Sequence, residues 1–202
     1  MAKTLRIALA LTLLAARPLA AQDAPRERLP WTLQFEIRGE FARALGDLQE
    51  LVGSEPGFGL GAAGRLWLTD AVAVYAGWDW FRFANVVDST RAEFSEPGFR
   101  GGAQYQARIG SSPLQPFVYA GAFNSRPRLE LRRGGETEAI RFERSWGGEV
   151  GGGVVVPLGS RLSLVPEARY RFHEVQASSG AASVPEVDIR YLGLNVGILW
   201  SP

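Results

Sequence analysis

Trp31-Thr32-Leu33-Gln34-Phe35-Glu36-Ile37-Arg38-Gly39-Glu40-Phe41 is the stretch on which the fold turns. Trp31, Leu33, Phe35, Ile37 and Phe41 share one parity, with Gly39 among them, while Thr32, Gln34, Glu36, Arg38 and Glu40 share the other. Successive side chains of a strand point to opposite faces, so the segment predicts a strand dividing an oily surface from a charged one. It is long for a soluble sheet and matches a tilted membrane-spanning strand.

The same alternation returns over residues 58–68, 72–81, 99–109, 116–124, 146–156, 162–173 and 191–200, which predicts eight strands. The fifth is ambiguous because both of its faces are apolar, and Phe117, Tyr119 and Phe123 are assigned outward. The connections are unequal. Those at 69–70, 110–114 and 157–161 are short, whereas those at 42–57, 84–98, 125–145 and 174–187 are long and polar. An up-and-down barrel with tight turns at one end and loops at the other has this rhythm, as outer-membrane barrels do. Within the third long connection, Arg133-Gly134-Gly135-Glu136 predicts a hairpin turn between Leu129 and Leu131 on one side and Ile140 and Phe142 on the other.

Inverting the barrel would preserve the alternation, so size decides which face is inside. The charged parity holds Glu36, Arg38, Glu40, Arg65, Asp79, Arg100, Arg108, Glu149, Glu167, Arg169, Arg171 and His173, mixed in sign and spaced among glycines. Eight strands leave an interior just wide enough to be filled by side chains, so these residues predict a paired polar core. The apolar parity carries Trp31, Phe58, Trp80, Phe99, Trp146, Phe172 and Trp200 near strand ends, where aromatic girdles meet the membrane interfaces. A closed barrel leaves no unpaired backbone edge in hydrocarbon.

The residues before the first strand read differently. Lys3 and Arg6, an apolar run over 7–16 and Leu19-Ala20-Ala21 predict a cleavable signal peptide over 1–21, read by the Sec pathway, with the barrel domain over 22–202. The apolar run is too short for a membrane-spanning helix. Three of the 22 basic residues, Lys3, Arg6 and Arg17, fall in that segment and leave 19 against 21 acidic ones, which offers no case for nucleic acid. With no cysteine and one histidine, the usual zinc sites lack ligands, and no cofactor or metal is expected.

The whole pattern resembles the small outer-membrane barrels of the OmpA/OmpX type. The resemblance is carried by Trp67-Leu68-Thr69-Asp70 at a turn, Gln115-Pro116-Phe117-Val118-Tyr119-Ala120-Gly121 in the fifth strand and Val165-Pro166-Glu167-Ala168-Arg169-Tyr170-Arg171-Phe172 in the seventh. It implies an all-β, eight-stranded antiparallel transmembrane barrel in a Gram-negative outer membrane, with both termini periplasmic and four loops outside. It also implies that the barrel-assembly machinery reads the last strand, where Asn195, Gly197 and Trp200 match its signal, although Pro202 stands where that pattern ends in an aromatic.

Three functions are compatible with such a barrel. The first is a non-enzymatic structural anchor or interaction protein whose loops meet an extracellular ligand of unknown identity. The second is a small passive channel for ions or compact solutes. The third is a lipid A-modifying enzyme, for which only His173 and the loop residues Ser178 and Ser179 speak; Glu174-Val175 departs from the histidine-x-serine arrangement of the deacylase barrels. His173 is expected to face inward and pair with a carboxylate such as Glu167. Arg126, Arg128, Arg132 and Arg133 form a basic cluster in the third long connection that suits lipopolysaccharide phosphates, with Glu130, Glu136 and Glu138 beside it. Gly147-Gly148 and Gly151-Gly152-Gly153 lack the following helix of a phosphate cradle and read as clearance for arginines crossing a narrow lumen.

Overall fold

The computed structural model describes residues 31–87, 90–176 and 187–202; the expected signal peptide and Ser178 and Ser179 lie outside them. In chain order the elements are β1 (Leu33–Leu45), α1 (Asp47–Val52), β2 (Gly57–Trp67), β3 (Val72–Val87), β4 (Thr90–Gln106) and β5 (Gln115–Ser125). They continue with β6 (Arg128–Arg133), β7 (Glu136–Arg141), β8 (Ser145–Pro157), β9 (Leu162–Val175) and β10 (Val187–Trp200).

Eight strands close one antiparallel ring, in which β1 pairs with both β2 and β10, and β3 with β4 seals the circle. Closure leaves every strand of the wall with two partners. The β6–β7 hairpin stands outside the ring, attached through β6 to the outer half of β4. Its turn falls at the predicted Gly134-Gly135, both with positive φ, as a two-residue hairpin turn requires. At the opposite end, Thr69 Oγ1 accepts hydrogen bonds from the amides of Ala71 and Val72 and tightens the β2–β3 turn.

The wall is apolar outside. Ile37, Leu60, Trp78, Phe99, Val118, Val150, Leu194 and Val196 are exposed around its middle. In water such a band would far exceed the apolar patch a soluble monomer tolerates, and a bilayer is its natural solvent. Phe41 packs against Phe58 towards the loop end, and Phe35 stacks on Trp200 towards the turn end.

Four expectations are corrected. On β5, Phe117 is 3% exposed and Val118 60%, so Phe117, Tyr119 and Phe123 face inward. The reason lies in neighbouring β8, where Phe123 fills the space over Gly147 and Tyr119 the space over Gly151. Arg108 is exposed because β4 ends at Gln106 and the chain has already turned. The connection expected over 84–98 is strand: β3 and β4 run on together as far as Val87↔Thr90. The connection over 42–57 holds three more residues of β1 beyond Ala42 and the short helix α1.

Candidate functional site

The lumen is built in layers, and each follows from inward parity on successive strands. At the turn end Trp67 Nε1 donates to Gln34 Oε1 at 2.8 Å, Gln34 Nε2 to Ser201 Oγ at 2.7 Å and Gln106 Nε2 to Gln115 Oε1 at 2.5 Å. Above these amides, Phe117, Val155, Val165 and Leu199 form a thin apolar layer with Tyr75 and Tyr119.

The middle is ionic. Arg38 forks onto Asp79 at 2.8 and 3.0 Å and reaches Glu167 at 3.1 Å. Arg169 donates to Asp79 at 2.9 Å and also pairs with Glu40, while Arg65 pairs with Glu36. Arg171 bonds Glu149 at 2.9 Å and meets Asp79, and Arg100 donates to Glu149 at 3.2 Å. Tyr75 donates to Glu149 at 2.8 Å, Tyr119 to Glu167 at 3.2 Å and Asn195 Nδ2 to Glu167 at 2.7 Å. Five arginines thus meet five carboxylates, all buried, in a network without net charge among the described residues. Charge-assisted hydrogen bonds offset much of the desolvation that unpaired ions would suffer there. Glycines supply the clearance: a side chain at Gly61 would strike Asp79, at Gly193 Glu40, and at Gly197 Glu36.

His173 lies above this layer, but its partner is Glu96 rather than Glu167, with Nε2 3.0 Å from Oε1. Glu96 also accepts from Ser125 Oγ at 2.7 Å and Tyr191 OH at 3.1 Å. The serine hydroxyl here donates to a carboxylate and not to the imidazole, and all four residues are buried, so the arrangement is not that of a nucleophile and its base. Above the histidine, Phe81, Phe83, Phe94 and Ile189 close the lumen, and Leu48 and Val52 of α1 press on them, both fully buried. Phe81 stacks on Tyr191 with ring centres 5.0 Å apart.

Of the residues named from sequence, Glu36, Arg38, Glu40, Arg65, Asp79, Arg100, Glu149, Glu167, Arg169 and Arg171 meet in the ionic layer, and Arg108 stands apart. Glu96, Tyr75, Tyr119 and Tyr191 were missed. Glu96 shares the parity of Arg100, but Pro97 and Gly98 mark a turn on sequence alone. Asn195 and Gly197 face the lumen beside Glu167 and Glu36, and Trp200 faces outward against Phe35. Arg128 and Arg132 project from one face of β6 onto Glu130, at 2.8 and 3.0 Å. Arg126 is exposed in the link from β5, and Arg133 is exposed at the hairpin turn. A groove of about 310 Å³ between β8, β9 and β10 has Trp146, Gly147, Phe172, His173 and Arg190 among its lining residues.

No protein-family model matches the sequence, and no curated protein matches it. Solved structures do. Neisserial surface protein A matches with a TM-score of 0.60 at 18% identity, over 84% of this chain and 97% of that one. OprG from Pseudomonas aeruginosa matches with a TM-score of 0.54 at 14% identity, over 85% and 96%. The attachment invasion locus protein Ail of Yersinia pestis matches with a TM-score of 0.51 at 14% identity, over 85% and 99%. The ring of eight strands, the polar lumen and the apolar wall agree with these likenesses on one point: the chain has the fold of the eight-stranded outer-membrane β-barrels.

Proposed function

We propose that this chain is a non-conducting, non-enzymatic anchor in a bacterial outer membrane that displays an interaction surface on its loop side, with both termini in the periplasm. The observation that carries this reading is the filled lumen. Arg38 from β1, Asp79 from β3, Glu149 from β8 and Arg169 from β9 join across the barrel, and an apolar lid covers them. A permeating ion would have to break a neutral, fully buried network and then cross a layer of packed aromatic and aliphatic side chains. His173, the residue that would serve a hydrolase, is enclosed beneath the lid beside Glu96. Among the described residues, most of the loop side is strand and helix, which suits presentation of a fixed surface.

The test is conductance. The barrel, refolded and inserted in planar bilayers, is expected to leave the current at its baseline. Discrete, reproducible current steps from the wild-type barrel would overturn the anchor reading in favour of a channel.

A further inference from the structure

We propose that the outward face of the ribbon formed by the outer halves of β3 and β4 with β6 and β7 binds phosphate groups of the lipids that surround the barrel. This rests on the anchor reading and deepens it by naming the surface and its partner.

The register across the ribbon sorts its charges into rows. Arg82, Ser95, Arg128 and Arg141 are successive cross-strand partners. Two residues further from the barrel, Glu93 pairs with Glu130, with Ala84 and Ala139 at the sides. Two further still, Arg91 pairs with Arg132, between Val86 and Thr137. Alternate residues share a face, so arginine, glutamate and arginine rows lie one above another at steps of about 7 Å.

Each glutamate is held from both sides. Glu93 meets Arg82 at 2.6 Å and Arg91 at 3.7 Å, and Glu130 meets Arg128 at 2.8 Å and Arg132 at 3.0 Å. Two like charges directly opposite would destabilise the sheet, and the flanking guanidiniums relieve that. The glutamate side chains are 19% and 20% exposed, whereas those of Arg91, Arg128 and Arg132 are 45–54% exposed, so the arginines stand outermost. Four arginines, Arg82, Arg91, Arg128 and Arg132, flank these two glutamates, so the cluster carries two more positive charges than negative ones. A guanidinium has five donors in a fork, and one carboxylate contact leaves the others for a second anion.

The opposite parity carries different chemistry. Phe83, Phe94, Leu129, Leu131 and Ile140 turn onto the apolar lid, and Glu136 and Glu138 lie on that parity of β7, away from the arginine rows. Of the three acids beside the cluster in the sequence, only Glu130 therefore lies on its face. Arg133, whose cross-strand partner is Glu136, also lies off the face, while Arg82, Arg91 and Arg141 join it.

The direction of the face selects the partner. Arg82 follows the outward Trp80 by two residues on β3, so the arginine face is the upward continuation of the lipid-facing wall just beyond its aromatic girdle. It looks sideways over the surrounding headgroups, where the nearest dense anions are lipid phosphates. Arginine matches phosphate geometry with two parallel hydrogen bonds.

The test uses the refolded barrel in nonionic detergent, titrated with bisphosphorylated lipid A and with its dephosphorylated counterpart, and bound lipid counted by native mass spectrometry. Arg82→Gln/Arg128→Gln/Arg132→Gln is expected to weaken lipid A binding about tenfold or more, as charge-assisted contacts are lost. Arg133→Gln is expected to stay within about twofold of wild type, because it lies off the face. Should the triple variant fail to give the heat-shifted folded band, Arg132→Gln alone carries the test, with about a threefold loss expected. Equal binding of the dephosphorylated lipid, or an equal loss in Arg133→Gln, overturns the proposal. So does inositol hexakisphosphate binding as tightly as lipid A, which would assign the face to a soluble anion. Conductance of the wild-type barrel would sink the anchor reading while leaving these binding outcomes intact, so the two failures are distinguishable.

Discussion

The middle of the lumen and its outer lid are both fully buried, yet opposite chemistries hold them. In the middle, ion pairs and charge-assisted hydrogen bonds dominate, and its centre is shared: Asp79 alone meets Arg38, Arg100, Arg169 and Arg171. In the lid the contacts are rings and aliphatic side chains, with Phe83 against Phe81, Phe94 and Tyr191. Lipid surrounds the first region, so its outward residues gain nothing from sequestering apolar surface within the fold, and its inward polar groups have only one another. The lid stands at the loop end among polar loops, where ordinary hydrophobic burial applies. Cohesion in this barrel therefore changes character along its axis, and damage should have different reach in the two regions.

The largest expected effect comes from breaking the ionic layer. Arg169→Ala leaves Glu40 without its guanidinium and removes one of Asp79's, and a stranded buried charge costs roughly 3–5 kcal/mol. Arg38→Ala is expected to cost about 3 kcal/mol or more by the same route, through Asp79 and Glu167. Urea titration of the refolded barrels should show lowered midpoints for whole-barrel unfolding. An unchanged midpoint would refute the paired core. The comparison sharpens with Glu36→Leu/Arg65→Met: the single Arg65→Met should be strongly destabilising, whereas the double variant should recover most of the loss, because an apolar pair carries no unmet charge.

Phe83→Ala is the matching change in the lid. Deleting a buried ring costs about 3 kcal/mol, but here the loss should stay local. Limited proteolysis should cut the β3–β4 ribbon faster while the heat-shifted band of the folded barrel persists. If whole-barrel unfolding moves as far as it does for Arg169→Ala, the two regions are one cooperative unit and the contrast fails.

Smaller again is the effect of filling clearance. Gly193→Val would put a side chain where Glu40 lies, and overpacking of this kind costs roughly 1–3 kcal/mol. Gly39→Ala on the adjoining strand meets nothing within 4 Å and is the neutral control. Equal stability of the two variants in a urea titration would remove glycine clearance from the account.

The two regions were not equally legible in the sequence. In the middle, Glu36, Arg38, Asp79, Arg169 and Arg171 alternate with apolar neighbours, so period two alone assigns them to the lumen. Which arginine meets which acid was not legible, because it depends on how registers accumulate around the closed ring, and no single strand carries that information. β5 misled because Phe117 and Val118 are both apolar, so parity was silent and the deciding glycines sit on β8. The lid was missed because Pro97-Gly98 and the polar residues around them imitate a loop, although β4 runs straight through. Helix α1 has only six residues, too few for a helical period to emerge.

The smallest expected effect lies beyond both regions, on the ribbon. Glu130 is held below the ordinary carboxylate range, first by the hydrogen bond from Arg132 and then by the charges of Arg128 and Arg132. A carboxylate whose pKa is depressed on folding adds stability that is present above its unfolded value and is lost as pH falls through its folded value. The unfolded value is near 4.5, so the ribbon should keep constant protection from pH 7 to 5 and begin to loosen below it. Amide exchange at β6 and β7 in the refolded barrel reads this directly, with rates corrected for intrinsic pH dependence. Glu130→Gln should abolish the acid-side change, since the amide cannot titrate, while slightly loosening the ribbon at neutral pH. Because the glutamate sits on the outer face of the ribbon among exposed arginines, salt should shrink the effect, whereas the ionic layer in the lumen should be almost insensitive to it. A salt response of equal size in both places would mean that water reaches the lumen, and the contrast between the sealed interior and the exposed ribbon would be lost.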